Sequence, residues 1–420
     1  MPTVPRVAFF TDSYAEANGV ARLSRALVAH ATDQALPFLC VHGGDHTGMD
    51  EMQGDSPVRR LVLKRGAVRL RLEHDLSYDL LVWRHYRMVR DVLTTFRPDV
   101  IHITGPSDAG QLGAMLGHRL SIPIVGSWHT NLHQYAALRS QRWCRWLQHA
   151  PRERLLSEIE RRSLDAALLF YRIPRVLLAP NADLVRLLAV RTGKPTHLMK
   201  HGVDTVEFAP RHRSQNGALL RVGFVGRLSA EKNVRLLADL ASSLSGRGIA
   251  CEFVIIGDGS ERQWLETSIA NARFPGVLTG QDLARAYASL DLFAFPSPSE
   301  TFGLAVLEAM ASGVAVLAMQ HGGPGFVIQH GVTGWTASSD SDFINSGVNL
   351  ATDAALRRRL ARAARAAAKA WSWPAVAKNL YQVYQETVDA AAIREAPGRP
   401  IVASSTTMTH TRSSRSGRIS

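Results

Sequence analysis

Cysteine is scarce: Cys40, Cys144 and Cys251 are the three in 420 residues, and their spacing is not that of metal ligands. This argues against a disulfide-stapled scaffold and a structural zinc site, and it fits a reducing compartment. Long apolar runs are also missing. No stretch reaches the ~18 consecutive apolar residues of a membrane-spanning helix, although 46% of the chain is apolar, as in a soluble globular protein. The N-terminus, Met1-Pro2-Thr3-Val4-Pro5-Arg6, lacks the basic start and apolar core of a secretory signal. The expected location is therefore cytoplasmic, either free or peripheral on the inner face of the cytoplasmic membrane. Acidic residues are in deficit: 36 Asp and Glu face 49 Lys and Arg, a formal net charge of +13. Such an excess favours anionic partners.

The chain exceeds one ordinary core, so two domains are expected. Residues 1–206 alternate short apolar strands with helical stretches. Strands are expected at Val4–Phe10, Leu36–Val41, Val100–Ile103, Ile122–Gly126, Ala166–Phe170 and His197–Lys200, with helices such as Val20–His30 and Leu80–Phe96 between them. Residues 207–218 are polar with Pro and Gly and read as a linker. The alternation resumes over 219–371: strands Leu220–Val225, Cys251–Ile256, Val277–Leu278, Leu292–Phe295 and Ala315–Ala318, with helices Lys232–Ser245, Glu261–Ala272, Leu283–Ser289 and Gly303–Ser312. This is the pattern of two parallel α/β sheets with right-handed crossovers. An amphipathic helix follows at 372–392. The Ser/Thr/Arg-rich residues 393–420 have the composition of a disordered tail.

In a doubly wound sheet, ligands bind beyond the carboxyl ends of the strands, and several motifs fall there. After the first strand comes Asp12-Ser13-Tyr14 and then Asn18-Gly19-Val20, where Gly19 opens a helix. A single Gly is no dinucleotide fingerprint; it admits close phosphate approach or simply makes a turn. Trp128-His129-Thr130-Asn131 ends another strand, and its His is either a cleft residue or a packed one. Gly226-Arg227 and Lys232 follow the first strand of the second half. A planar fork and a point charge together suit a diphosphate, though a solvated basic loop is the alternative. Gly257 closes the next strand. Glu300-x7-Glu308 brackets Phe302-Gly303-Leu304 at a helix start. Alone this is a cap with a stray acid. Free N–H groups beside carboxylates also suit a polyhydroxylated, anionic ligand. Asp340-Ser341-Asp342 looks like a metal motif but reads as a helix cap, and no metal is expected.

Two basic stretches stand apart. Residues 135–155 interleave Arg139, Arg142, Arg145, Arg152 and Arg154 with Trp143, Trp146 and Leu147. Arg59, Arg60, Lys64, Arg65, Arg69 and Arg71 form the second. Either an anionic membrane surface or a solvated helix face accounts for them; nucleic acid is not expected beside two nucleotide-type halves.

Taken in order and spacing, Asn18-Gly19-Val20, Trp128-His129-Thr130, His201-Gly202-Val203-Asp204, Gly226-Arg227 through Lys232, Gly257-Asp258-Gly259 and Glu300-x7-Glu308 resemble the GT-B glycosyltransferases of retaining family 4, across roughly residues 4–390. The resemblance implies two Rossmann-like domains facing a cleft, with the late helix crossing back to the first. It implies a hexose moved from a UDP- or GDP-sugar, as co-substrate and with no further cofactor, to an acceptor hydroxyl. It assigns Arg227 and Lys232 to the diphosphate and Glu308 to the ribose. Glu300, with the N–H groups of Phe302, Gly303 and Leu304, is assigned to the donor sugar. Gly19 and Gly257 fall near the nucleotide, and His129 near the sugar. Asp12, Tyr14, Asn18 and His129 line the acceptor side. Phe10–Tyr14 and Ser127–Asn131 are similar to segments of lipid glycosyltransferases and related mannosyltransferases, which makes a lipid on an anionic membrane one expected acceptor. A soluble or polysaccharide acceptor, a sugar-nucleotide epimerase and a binding module on an inactive scaffold are the alternatives. Gly322-Gly323-Pro324-Gly325 and His201 depart from the usual family segments.

Overall fold

The computed structural model describes residues 4–16, 18–50, 56–66, 69–71, 77–79, 81–129, 140, 149–213 and 219–395. The first sheet contains β1 (Val7–Thr11), β2 (Phe38–Gly44), β3 (Gly48–Asp50) and β4 (Val58–Lys64). After a separate hairpin, β5 (Arg69–Arg71) with β6 (Ser77–Asp79), come β7 (Val100–Ile103), β8 (Ile124–Ser127), β9 (Val176–Ala179) and β10 (Thr196–Leu198). Their order is β10-β9-β8-β7-β1-β2-β4-β3, parallel except where β3 meets β4. The second sheet holds β11 (Leu220–Val225), β12 (Cys251–Ile256), β13 (Ala272–Gly276), β14 (Leu292–Phe295), β15 (Ala315–Met319) and β16 (Trp335–Ala337), ordered β13-β12-β11-β14-β15-β16. Neighbouring strands in it all run parallel.

Helices cover both faces of a parallel sheet, so its central strands are apolar throughout rather than alternating. Every residue of β1, β7, β14 and β15 is buried. Polar side chains start the helices that pack on them: Asn18 accepts from Ala21 N at 2.9 Å, Ser107 from Gly110 N at 3.1 Å and Asn181 from Leu184 N at 2.9 Å. Asp340-Ser341-Asp342 forms the first turn of a helix, and the cap is the preceding Ser339, which accepts from Asp342 N at 3.2 Å.

The helix Trp373–Glu395 crosses back onto the first sheet. Its Ala377, Leu380 and Tyr384 join the core of Val7, Phe9, Leu23 and Leu27. Each fully buried large apolar side chain there contributes roughly 1.5–3 kcal/mol. Arg365 holds the chain between the sheets, donating to the carbonyls of Phe208 at 2.8 Å and Thr205 at 2.9 Å.

Two expected strands are corrected. Ala166–Phe170 ends the helix His149–Phe170; Ala167, Leu168 and Tyr171 are buried at helical spacing, and the strand is β9 instead. A short apolar run carries no period of its own to separate strand from buried helix. Val277–Leu278 is not a strand either. The edge strand is β13, and the preceding helix, Arg262–Ser268, stops short of it. Pro275 lies within β13, which is tolerated at an edge and disguised the strand. The expected helix Leu80–Phe96 begins only at Tyr86, after a 3-10 turn, Val82–His85. Residues 214–218 of the linker, most of the Trp/Arg stretch and the tail beyond 395 lie outside the described residues.

Candidate functional site

Strand order reverses at β1, between β2 and β7, and at β11, between β12 and β14. Crevices open at the carboxyl ends of the strands at such points. Asp12 follows β1, His129 follows β8, Arg227 follows β11 and Glu300 follows β14. The two sheets present these ends to each other, as the contacts across the seam demonstrate. Asn181 Nδ2 donates to the Thr301 carbonyl at 2.7 Å, and Thr301 Oγ1 donates to the His129 carbonyl at 2.8 Å. A Cβ on Gly19 would stand 3.0 Å from Leu304 Cδ1, so the starts of the helices Gly19–Asp33 and Leu304–Ala311 face each other.

Lys232 Nζ lies 2.5 Å from Glu300 Oε1, so the expected phosphate-binding cation and the expected sugar-binding carboxylate are already paired. Arg227 stands 4.0 Å from Glu231. Burial lowers the Arg227 pKa, while Glu231 and Glu300 act to raise it. An anion entering here meets two cations on adjacent turns, one fork-shaped and one compact.

The loop after β14 is held from both sides. Gly323 N donates to the Glu300 carbonyl at 2.6 Å. A Cβ on Gly323 would collide with the Phe302 backbone, so the Gly322-Gly323 pair is what lets this strand of chain lie against the loop. Gly303 has φ 89°, a left-handed conformation natural only to glycine, and it starts the helix Leu304–Ala311. The first N–H groups of that helix have no partner within it and carry its positive end. Phe302 is 3% exposed, packed between His201 (ring centroids 4.8 Å) and Trp371 (5.6 Å).

Glu308, one turn into that helix, is 4% exposed and forms an ion pair with Arg22 of the opposite domain. His129 packs edge-on to His201 at 5.6 Å, and its Nε2 is 2.7 Å from Ser127 Oγ. Burial holds both rings neutral: it lowers the His129 pKa well below the usual range, with His201 adding to the effect, and lowers His201 to about 4. Removal from water, assisted by Asp108, raises Asp12 to about 7. Its carboxylate accepts from the Ser107 hydroxyl.

The remaining acceptor-side residues have identifiable local roles. Asn18 caps its helix and donates to Ser13 Oγ at 3.1 Å. Tyr14 stacks on His42, with centroids 4.5 Å apart, and lies under the Arg60 guanidinium. A Cβ on Gly257 would overlap the Gly226 carbonyl, so close backbone packing behind the cation loop requires glycine there. Part of the second basic stretch is neutralised internally: Arg60 pairs with Asp50 at 3.0 Å and Arg65 with Glu16 at 3.0 Å. Arg22, Asn181 and Thr301 escaped sequence reasoning. Arg22 alone left a signal, four residues after the Asn18 cap and hence on the same helix face.

Fold and site together define a GT-B nucleotide-sugar glycosyltransferase. Residues 17–207 match the family described as Glycosyltransferase Family 4, and residues 220–353 match Glycosyl transferases group 1. A GDP-mannose-dependent alpha-mannosyltransferase of Mycolicibacterium smegmatis is 33% identical over 73% of this chain and 78% of its own length. The protein of that name from Mycobacterium tuberculosis is 32% identical over 71% and 76%. Sucrose-phosphate synthase from Thermosynechococcus elongatus superposes with a TM-score of 0.68 at 17% identity, covering 91% of this chain and 99% of that one. WaaG, a glycosyltransferase involved in lipopolysaccharide biosynthesis, superposes at 0.60 with 15% identity, over 90% and 99%. The chain belongs to the group 1, family 4 glycosyltransferases and is a hexosyltransferase.

Proposed function

We propose that the protein transfers mannose from GDP-mannose to an acceptor hydroxyl with retention of anomeric configuration. The observation that supports this best is the Lys232–Glu300 pair, with Arg227 acting on Glu300, beyond the ends of β11 and β14, in a chain 33% identical to a GDP-mannose-dependent alpha-mannosyltransferase. In this reading Arg227 and Lys232 hold the diphosphate and stabilise the charge that grows as it leaves. Glu308 accepts from the ribose hydroxyls, and Glu300 with the N–H groups of residues 302–304 fixes the hexose.

The donor is an α-linked glycosyl phosphate, so an α-mannoside product means retention. As the anomeric carbon–oxygen bond breaks, the sugar acquires oxocarbenium character, as in glycoside hydrolysis. The acceptor oxygen attacks from the face the phosphate is leaving. Its proton passes to the departing phosphate oxygen, and the new glycosidic bond forms on that face. Glu300 and Glu308 are engaged by Lys232 and Arg22, which suits them to binding rather than nucleophilic attack.

For the acceptor we propose a lipid at an anionic membrane surface on the cytosolic side. The motif resemblance at Phe10–Tyr14 and Ser127–Asn131 and the charge of +13 support it. No described helix is long and apolar enough to cross a membrane. The test is a panel of GDP- and UDP-hexoses incubated with and without lipid extract, the product anomer being read by proton NMR. GDP-mannose consumed into an α-linked lipid product is expected. Preference for a UDP-sugar would overturn the donor assignment, a β-product the stereochemistry, and turnover indifferent to lipid the acceptor.

A further inference from the structure

Behind His129 runs a line of buried polar side chains. Tyr384, on the crossover helix, places its hydroxyl 2.6 Å from His102 Nδ1. His102 Nε2 is 2.8 Å from Ser127 Oγ, and Ser127 Oγ is 2.7 Å from His129 Nε2. Tyr384 and His102 are fully buried and Ser127 is 1% exposed. Three hydrogen bonds thus connect the helix that closes the fold to the mouth of the cleft.

The direction of each bond follows from counting protons. A buried polar hydrogen without an acceptor is costly. Either direction of the relay leaves one polar hydrogen without an acceptor among the described residues: that of Tyr384, inside the core, or that of His129 Nδ1, at the cleft end. Only the second can be taken up by a bound ligand, so the arrangement that a ligand completes has Tyr384 donating to His102 Nδ1. Burial holds His102 neutral, with a pKa near 3, so the ring has one proton, on Nε2, and donates it to Ser127. Ser127 then has one hydrogen and two acceptors, the Ile103 carbonyl at 3.4 Å and His129 Nε2 at 2.7 Å. The shorter contact takes it. His129 Nε2 is consequently an acceptor, and the neutral ring carries its proton on Nδ1. That atom is closed to solvent and has no partner among the described residues.

We propose that Tyr384, His102 and Ser127 are positioning residues that lock His129 into its Nδ1–H tautomer, making it a fixed hydrogen-bond donor toward an oxygen of the bound donor substrate. This rests on the placement of His129 in the donor cleft. It deepens that reading by excluding one role: a ring whose Nε2 is occupied by Ser127 and whose Nδ1 already bears hydrogen cannot act as general base. The His129 carbonyl, bonded to Thr301, fixes the backbone while the relay fixes the ring.

The tautomer is readable without substrate. Long-range proton–nitrogen correlation spectra of the 15N-histidine-labelled full chain should place His129 Nδ1 in the pyrrole-like range and Nε2 in the pyridine-like range. Tyr384→Phe deletes one oxygen far from the cleft. It should give a mixture of both tautomers and a roughly tenfold lower kcat, with nucleoside diphosphate affinity unchanged. Ser127→Ala cuts the relay next to the ring and should do the same, so a folding defect in either variant leaves the other. An Nε2–H tautomer in the wild-type chain, or an unmixed Nδ1–H form in both variants, overturns the relay. If the spectra are as expected while His129→Phe retains full turnover, it is the placement of His129 in the donor site that fails.

Discussion

Arg22 and Glu308 form an ion pair across the cleft, joining the first turn of one domain's leading helix to the buried acid of the other's donor-side helix. The Glu308 carboxylate is therefore engaged by the opposite domain, and the ribose role proposed for it would exchange that guanidinium for hydroxyls. Breaking a fully desolvated pair costs about 3–5 kcal/mol, because one charge is left buried alone. Here the Glu308 side chain is 5% exposed but the Arg22 side chain is 30% exposed, so water screens part of the loss. Arg22→Met is expected to cost roughly 2 kcal/mol, and much less when Glu308→Gln is already present. A double-mutant cycle in urea checks it: additive costs would mean that the pair contributes nothing.

The proposed cation and the two carboxylates should separate in kinetics. Arg227→Ala removes a fork matched to a diphosphate whose charge grows during bond breaking, so kcat should fall roughly 100-fold or more with a smaller change in donor KM. Glu308→Ala, on the proposed ribose-binding role, should act mainly on donor KM. Glu300→Gln keeps shape but releases Lys232 from its 2.5 Å partner, and should alter the preference among hexoses that differ in hydroxyl configuration. Steady-state kinetics on GDP-mannose and its epimers decide the assignments; wild-type constants for Arg227→Ala would remove it from the site.

Several strands of both sheets were readable as short apolar runs between turn residues, but β4, β9 and β16 went unread, although β9 is such a run between Pro174 and Pro180. Val100–Ile103, Leu220–Val225, Cys251–Ile256 and Leu292–Phe295 appear with the expected bounds. Failures came where period was lost, at Ala166–Phe170, or where proline sat in an edge strand, at β13. Strand ends located the candidate residues but not their partners. Lys232 and Glu300 are 68 positions apart, and His102 and Tyr384 are 282 apart. Such pairs arise from how sheets stack and where a helix returns, which local pattern does not encode. Arg22 illustrates the same limit: its helix was expected, but the acid it meets belongs to the other domain.

Stability should carry two opposing pH signatures. Asp12 is raised from 3.8 to about 7, so between about pH 4 and 7 the folded chain holds a proton that the unfolded chain has lost. Stability therefore falls as pH rises through that window and levels off above it. Neutral buried histidines act the other way. His102 and His201 fall to about 3 and about 4, and His129 lies well below the usual range. Below about pH 6.5 the unfolded chain gains protons that these three refuse, so stability falls toward acid. Asp12→Asn keeps an acceptor for Ser107 and removes one slope only. It should raise stability at pH 8 by roughly 2 kcal/mol and steepen the acid loss between pH 4 and 6.5. Urea midpoints against pH for both proteins test it; parallel curves would show that Asp12 titrates alike when folded and unfolded.

Two left-handed glycines separate backbone strain from site geometry. Gly331 has φ 72° and open space around it, with nothing within 4 Å of where a Cβ would stand. Gly303 has φ 89°, and a Cβ there would come within 3.2 Å of Pro324 Cγ. Gly331→Ala should cost only the left-handed penalty, about 1–2 kcal/mol, and leave kinetics unchanged. Gly303→Ala adds pressure on a proline ring that cannot rotate away, and Pro324 belongs to the segment bonded to the Glu300 carbonyl through Gly323 N at 2.6 Å. The loop must shift, carrying the N–H groups of residues 302–304 with it. Gly303→Ala should therefore lose more stability than Gly331→Ala and raise donor KM as well. Denaturation midpoints and donor saturation curves for the two variants measure both effects, and equal donor KM values in the two would detach this helix start from the donor.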